Sequence, residues 1–224
     1  METEPFIRRY RPSDRARLAD ICVRTAHEGG DASGIYPEPE LMPVIFAYPY
    51  VELEPEFAFV LDDGTGAVGY VLGAPDTAGF AARFRAEWLP RVAERFPAPT
   101  GEAATPSESM AILLHTPERM VHEELADHPA HLHIDLLPPW QGRGHGRALI
   151  RTLLTALHEH GVPTVHLCMV RTNTPARAFY DRMGFTQLSV PDPGPVWYLG
   201  RPTDQGMSPG ATAAVESGAG APGL

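Results

Sequence analysis

The sequence predicts a mixed α/β fold: one sheet with antiparallel edges and helices on both faces. Three observations predict it. From residue 131 to 199 the chain alternates strand, helix, strand, helix, strand, the pattern of a sheet covered on both sides. Earlier, the turn DDGTG joins two apolar runs as a hairpin, because its residues tolerate positive φ. Between a strand and a helix lies LLPPWQGRGHG, Leu136 to Gly146, with glycine at the alternate positions 142, 144 and 146. Such a turn aims several backbone N–H groups at one anion, and the helix behind it adds its positive end.

Taken in order, Phe6 to Arg9 reads as an edge strand ended by Pro12. Ser13 and Asp14 then cap a helix carrying Leu18, Ile21, Cys22 and Thr25 on one face, stopped by the glycine-rich HEGGDASG. A short helix follows over Glu38 to Ala47 and ends in the aromatic turn YPYVELEP. Phe57 to Leu61 and Ala67 to Leu72 form the hairpin. Residues 74–130 make a helical insertion. In it Phe80, Phe84, Trp88, Leu89, Val92 and Phe96 recur at helical spacing, Pro90 kinks or splits the helix, and Ser107 or Ser109 caps a further one. So long a connection is expected to build a lid or wall beside a site. Then come the strand HLHIDLL, the glycine turn, and a helix from Arg147 to His160 closed by Gly161. A strand over Val165 to Val170, a helix starting at Pro175 and ending at Gly184, and strands over Phe185 to Val190 and Val196 to Leu199 complete the domain. Residues 1–202 thus read as a single domain. Residues 203–224 turn to Gly, Ala, Pro and Ser, too poor in apolar area to offset backbone ordering, and are expected to be a flexible tail.

A net charge of -10 with no basic cluster argues against nucleic acid as partner. It suits a cationic substrate as readily as plain solubility. No apolar stretch approaches the ~18 residues of a membrane span, so no membrane partner and a cytoplasmic location are expected. Cys22 and Cys168 belong to no metal or redox pair and read as small apolar side chains. The histidines show no familiar coordination spacing, so no metal is expected.

The glycine turn lies too late in the chain, with the wrong spacing, for a dinucleotide fold, and lacks the lysine of a phosphate loop. Two readings remain: a structural turn with no ligand, or a cradle in which backbone amides hold a pyrophosphate, with Arg143 and Arg147 adding positive charge. Here the chain resembles a known family. Gln141-Gly142-Arg143-Gly144-His145-Gly146 resembles the acyl-CoA motif Q/R-x-x-G-x-G/A of the GNAT N-acetyltransferases, and Asn173 to Phe185 resembles that family's second signature. The likeness is firm over residues 131–190 and fair over the first strand, first helix and hairpin. The long helical insertion is also similar to the acetyltransferase-like C-terminal domain of O-GlcNAc hydrolases and its bacterial relatives.

The resemblance implies a partly splayed sheet of about six or seven strands and acetyl-CoA as acyl-donor cosubstrate. It implies an N-acetyltransferase in which an amine attacks the thioester directly, in a ternary complex. By position, the backbone of Leu136 and Leu137 pairs with the pantetheine arm. The amides of Gly142, Arg143, Gly144, His145 and Gly146 hold the pyrophosphate, and Gln141 opens the turn. Asn173 touches the arm. Arg177 either meets a phosphate or the adenosine end, or is a solvated helix arginine. Tyr180 matches the general acid that protonates the leaving thiolate. For the base, strand alternation puts His131, His133 and Asp135 on one face, and Asp135 and His133 are the candidates. Acceptor binding is expected from Tyr36, Tyr50 and Asp76, although Asp76 is equally placed to cap a helix. The acceptor classes are an amine-bearing small molecule, an amino sugar or a lysine side chain, and the assembly a monomer or homodimer. The rival reading is an inactive acetyl-CoA-binding or protein-interaction module.

Overall fold

The computed structural model describes residues 4–204. Seven strands form one sheet in the order β1-β2-β3-β4-β5-β7-β6. They are β1 Phe6–Arg9, β2 Ala58–Asp62, β3 Ala67–Ala74, β4 Ala130–Leu136, β5 Thr164–Val170, β6 Thr186–Leu188 and β7 Val196–Pro202. Every neighbouring pair is antiparallel except β4 and β5, as expected for a sheet whose centre alone is made by a crossover helix.

The helices are α1 Arg15–Thr25, α2 Leu41–Phe46, α3 Tyr48–Leu53, α4 Thr77–Arg83, α5 Leu89–Val92, α6 Pro106–His115, α7 His145–Glu159 and α8 Thr174–Arg182. α7 crosses one face of β2, β3 and β4, burying Leu149, Ile150, Leu153, Leu154 and Leu157. Each such side chain contributes roughly 1.5–3 kcal/mol, which makes α7 the anchor of that layer. Its close approach needs Gly73, where a Cβ would stand 2.7 Å from Leu153 Cδ1. α1 covers the opposite face of β3 and β4 with Leu18, Ile21, Cys22 and Thr25.

Four expectations change. YPYVELEP is a second helix, α3, and α2 begins at Leu41 rather than Glu38. Pro49 lies in the first turn of α3, where no N–H is required, and Tyr48, Tyr50, Val51 and Leu53 are all buried. α6 is capped by Thr105 through a reciprocal pair with Glu108, while Ser107 and Ser109 lie inside the helix. Thr203 is buried, with its N–H on Pro163 O at 2.9 Å and its hydroxyl on Val162 O at 2.7 Å, so the ordered chain reaches past residue 202. The rest of the expected tail, 205–224, lies outside the described residues. Pro90 does split its helix: a π turn over Phe84–Trp88 separates α4 from α5.

One feature of the sheet positions everything that follows. β4 and β5 pair only at Ala130↔Val165 and His131↔His166. Beyond those two positions both strands run on without a shared rung, and the sheet is splayed between them.

Candidate active site

The wall of the splay is set by strand alternation. Leu137 N–H bonds to Val68 O at 3.0 Å, in register with Gly69↔Leu136 and Tyr70↔Asp135. Odd-numbered residues of β4 therefore spend their main-chain groups on β3, and even-numbered ones aim theirs at β5. Past the last rung this leaves Ile134 and Leu136 facing the gap. Leu137 is thereby corrected: its amide serves Val68 and its carbonyl accepts from Trp140 N at 2.8 Å. Ile134 takes its place. The alternation that found the acidic face also held this answer, but only once the β3 register was known. Gln141 Nε2 donates to Leu136 O at 2.8 Å and to Gly29 O at 3.2 Å, fastening the start of the glycine turn to the end of β4.

Gly142 and Gly144 have φ of 71° and 89°, a conformation that side-chain-bearing residues resist. A Cβ at either would meet nothing within 4 Å, so both positions face open space. Gly146 is small for a different reason: a Cβ there would approach Phe179 Cζ to 3.3 Å. Gly144, the N-cap of α7, offers no side-chain cap. The first-turn amides of His145, Gly146 and Arg147 thus remain for an anion, with the exposed Arg143 and Arg147 beside them. The Trp140 and His145 rings stand 5.7 Å apart.

The other face of β4 carries the titratable groups. Tyr70 Oη donates to Asp135 Oδ2 at 2.5 Å. Asp135 is half-buried, and desolvation lifts its pKa to about 6 against the opposing hydrogen bonds from Tyr70 and Thr25. His133 packs edge-on to Tyr50 at 5.1 Å, and burial together with Arg119 lowers its pKa to about 4. His131 is buried. The Thr77 hydroxyl donates to Pro129 O at 2.7 Å and therefore accepts from His131 Nδ1 at 2.9 Å. That tautomer leaves His131 Nε2 as acceptor of the Tyr50 hydroxyl at 2.7 Å.

This chain corrects the role given to Tyr50. At 1% exposure, with its hydroxyl spent on His131, it is packed in the interior and presents no open surface to a ligand. Asp76 is likewise corrected: exposed, it caps α4 by accepting from Ala78 N at 3.0 Å. It also follows Ala74, which pairs with His131 at the closed end of the splay. Tyr36 is half-buried in the loop after α1.

Tyr180 lies on α8, within the electrostatic reach of Asp135 on β4 and Cys168 on β5. Its hydroxyl has no hydrogen-bond partner among the described residues, and burial first, then Asp135 and Cys168, hold its pKa above the usual tyrosine range. It stays a proton donor. Asn173 is the cap of α8, its Oδ1 accepting from Ala176 N at 3.1 Å, which leaves only its side-chain N–H groups free. Arg177 is corrected: Asp181 at 2.8 Å, Gln187 at 3.3 Å and the Trp197 ring at 4.7 Å hold it against β6 and β7. Sequence reasoning missed Tyr70, whose only signal was its register opposite Asp135. Among the described residues no group of three or more His, Cys, Asp or Glu is arranged to hold a metal ion. Nor is any helix there long and apolar enough to cross a membrane.

A splayed parallel pair with a glycine-lined helix start at its mouth defines a class, and comparison with known proteins gives the same one. The model of the GNAT acetyltransferase family matches residues 110–185. The crystal structure of SsHAT is 61% identical over 89% of this chain and 98% of that one, with a TM-score of 0.87. The Protein O-GlcNAcase of Rattus norvegicus is 26% identical over 200 residues, 87% of this chain and 22% of that protein, so the chain spans about a fifth of the O-GlcNAcases it matches. PaiA N-acetyltransferase from Thermoplasma acidophilum, in complex with coenzyme A, shares the fold at 12% identity, with a TM-score of 0.56 over 89% of this chain and 99% of that one. The chain belongs to the GNAT acetyltransferase family, whose cosubstrate is acetyl-CoA.

Proposed function

We propose that this protein is an acetyl-CoA-dependent N-acetyltransferase that acts by direct attack of a primary amine on the thioester. The observation that carries the reading is the splay. Main-chain groups of Ile134 and the N–H of Leu136, which no β5 residue pairs, lead from the glycine cradle towards Asp135, whose charge is felt by Tyr180. The open space around Gly142 and Gly144 fits a pyrophosphate, held by the first-turn amides of α7 and flanked by Arg143 and Arg147. Ile134 and Leu136 hold the pantetheine arm as a missing strand would, and Asn173 offers its side-chain amide from the far side.

Asp135 takes the proton from the attacking ammonium, directly or through water. With a pKa of about 6 it is mostly ionised at neutral pH yet basic enough to accept. His133, at about 4, is too weak a base for this task. Tyr180, kept protonated, donates to the departing thiolate. The acceptor class is an amine-bearing small molecule, an amino sugar or a lysine side chain.

The test is thiol release from acetyl-CoA with a panel of such amines, comparing the wild type with Tyr180→Phe. The reading expects a kcat loss of about 10²-fold or more with acetyl-CoA affinity unchanged. Tight acetyl-CoA binding with no acceptor-dependent release would instead favour a module that keeps the cradle and lacks the chemistry.

A further inference from the structure

The acceptor side of the cleft holds a cation that the reaction above does not use. Late in the helical insertion lies a 3-10 turn over Pro117–Met120, and two residues later His122 meets the Tyr198 hydroxyl at 2.8 Å, ring against ring at 5.0 Å. That bond ties the insertion to β7. Tyr198 is the register partner of Cys168, whose exposed side chain lies on the same face of β5 as His166. His166 pairs with His131, so this is also the face of β4 that carries His133 and Asp135. Arg119 belongs to the tethered turn.

The surroundings of Arg119 lack a counter-ion. Its one side-chain hydrogen bond among the described residues is to Thr116 O of its own turn, at 3.4 Å, and there it makes no salt bridge. The groups within its field are Tyr50, Cys168 and Tyr198, neutral near pH 7, and His131 and His133, which it helps keep uncharged. Arg8 shows the contrast: its guanidinium lies between Asp14 and Asp62, both at 2.7 Å. Arg119 is half-buried and desolvated, which lowers its pKa, yet an arginine stays charged. Cys168 lies within the fields of both Arg119 and Tyr180, so the unmatched charge stands on the same face of the sheet as the reacting pair, one side chain removed from it. His133 stands two strand residues from Asp135, roughly 7 Å.

We propose that Arg119 is the specificity-determining residue of the acceptor site, and that the amine acetylated here carries a carboxylate a few bonds from its nitrogen. A half-buried guanidinium without an acidic partner is completed by a carboxylate, whose two oxygens match its fork of donors. The overall negative charge of the chain suggests a cationic acceptor; the local field at the cleft selects against one lacking an anionic end. This inference rests on the acetyl-transfer reading for the position of the amine.

The experiment uses ω-amino acids of graded length and their matched carboxamides as acceptors, with thiol release from acetyl-CoA as readout. At the fitting length the carboxylate should be preferred in kcat/KM by about tenfold or more. Arg119→Gln should erase that ratio and Arg119→Lys retain part of it, with circular dichroism melts confirming that both variants fold. In parallel, calorimetry measures binding of the N-acetylated carboxylate and of its carboxamide to the protein loaded with coenzyme A. Binding that favours the carboxylate without any turnover would keep the role of Arg119 and sink acetyl transfer. Turnover that ignores the carboxylate at every length, or a ratio that survives Arg119→Gln, would overturn the proposal and leave acetyl transfer standing.

Discussion

Asp135 is held in a condition that costs stability. Its pKa, about 6 against 3.8 in free chains, means the folded protein retains a proton that the unfolded chain releases. A carboxyl raised in this way favours folding less and less as pH climbs from 3.8 through 6. Asp135→Asn keeps an oxygen for the Tyr70 hydroxyl and removes the charge. It should therefore raise stability at pH 7.5 by on the order of 1–3 kcal/mol, seen as a higher melting temperature, and leave it nearly unchanged at pH 4. The same change should abolish most turnover, whereas wild-type kcat/KM should rise with pH through about 6. A variant equally stable at both pH values and still active would remove Asp135 from the role of base. Tyr180 belongs to the same scale. Its place in the second signature was legible in the sequence, while its free hydroxyl and its neighbours Asp135 and Cys168 appear only when α8 is laid across the splay.

At the level of elements, the β4–α7 unit was the most legible part of the chain. Alternation in HLHIDLL sorted His131, His133 and Asp135 onto one face, and the leucine spacing of α7 marked its buried stripe. Local sequence suffices where each residue's neighbours are its own element. It failed where partners come from afar. YPYVELEP, rich in turn-like residues, is helical because α3 can bury Tyr50 against Phe80 of α4, stacked at 4.5 Å. Asp76 and Arg177 carry charges that suit ligands, yet the first is spent on a cap and the second on β6 and β7. The cradle makes its own prediction. Gly144→Val places a β-branched side chain at φ 89°, a backbone strain of about 1–3 kcal/mol. Acetyl-CoA should then bind about tenfold or more weakly by calorimetry, with the apo melting temperature lowered as well. Unchanged affinity would exclude this loop as the pyrophosphate site.

For the whole molecule, the buried histidines decide acid behaviour. His131 lies with its ring centre 5.9 Å from that of His166 and 6.4 Å from that of His133. Burial lowers all three pKa values, to about 4 for His133 and His166, against 6.5 in the unfolded chain. Between those values the unfolded chain binds more protons, so stability is present above pH 6.5 and drains away as pH falls through 4. Asp135 pulls the opposite way but is one group against three. Stability measured by urea unfolding across this window should drop by on the order of a few kcal/mol in total; a flat profile would contradict the buried, neutral assignment. The two-rung seam between β4 and β5 has a further mechanical consequence. The sheet is in effect two panels sharing a short hinge, β1 to β4 on one side and β5 to β7 on the other. A ligand threaded along Ile134 and Leu136 would act as a zip that fastens them. Amide hydrogen exchange at those two residues should slow severalfold when acetyl-CoA is added, with the slowing spreading to both panels, so that the donor would double as a brace for the scaffold that receives it.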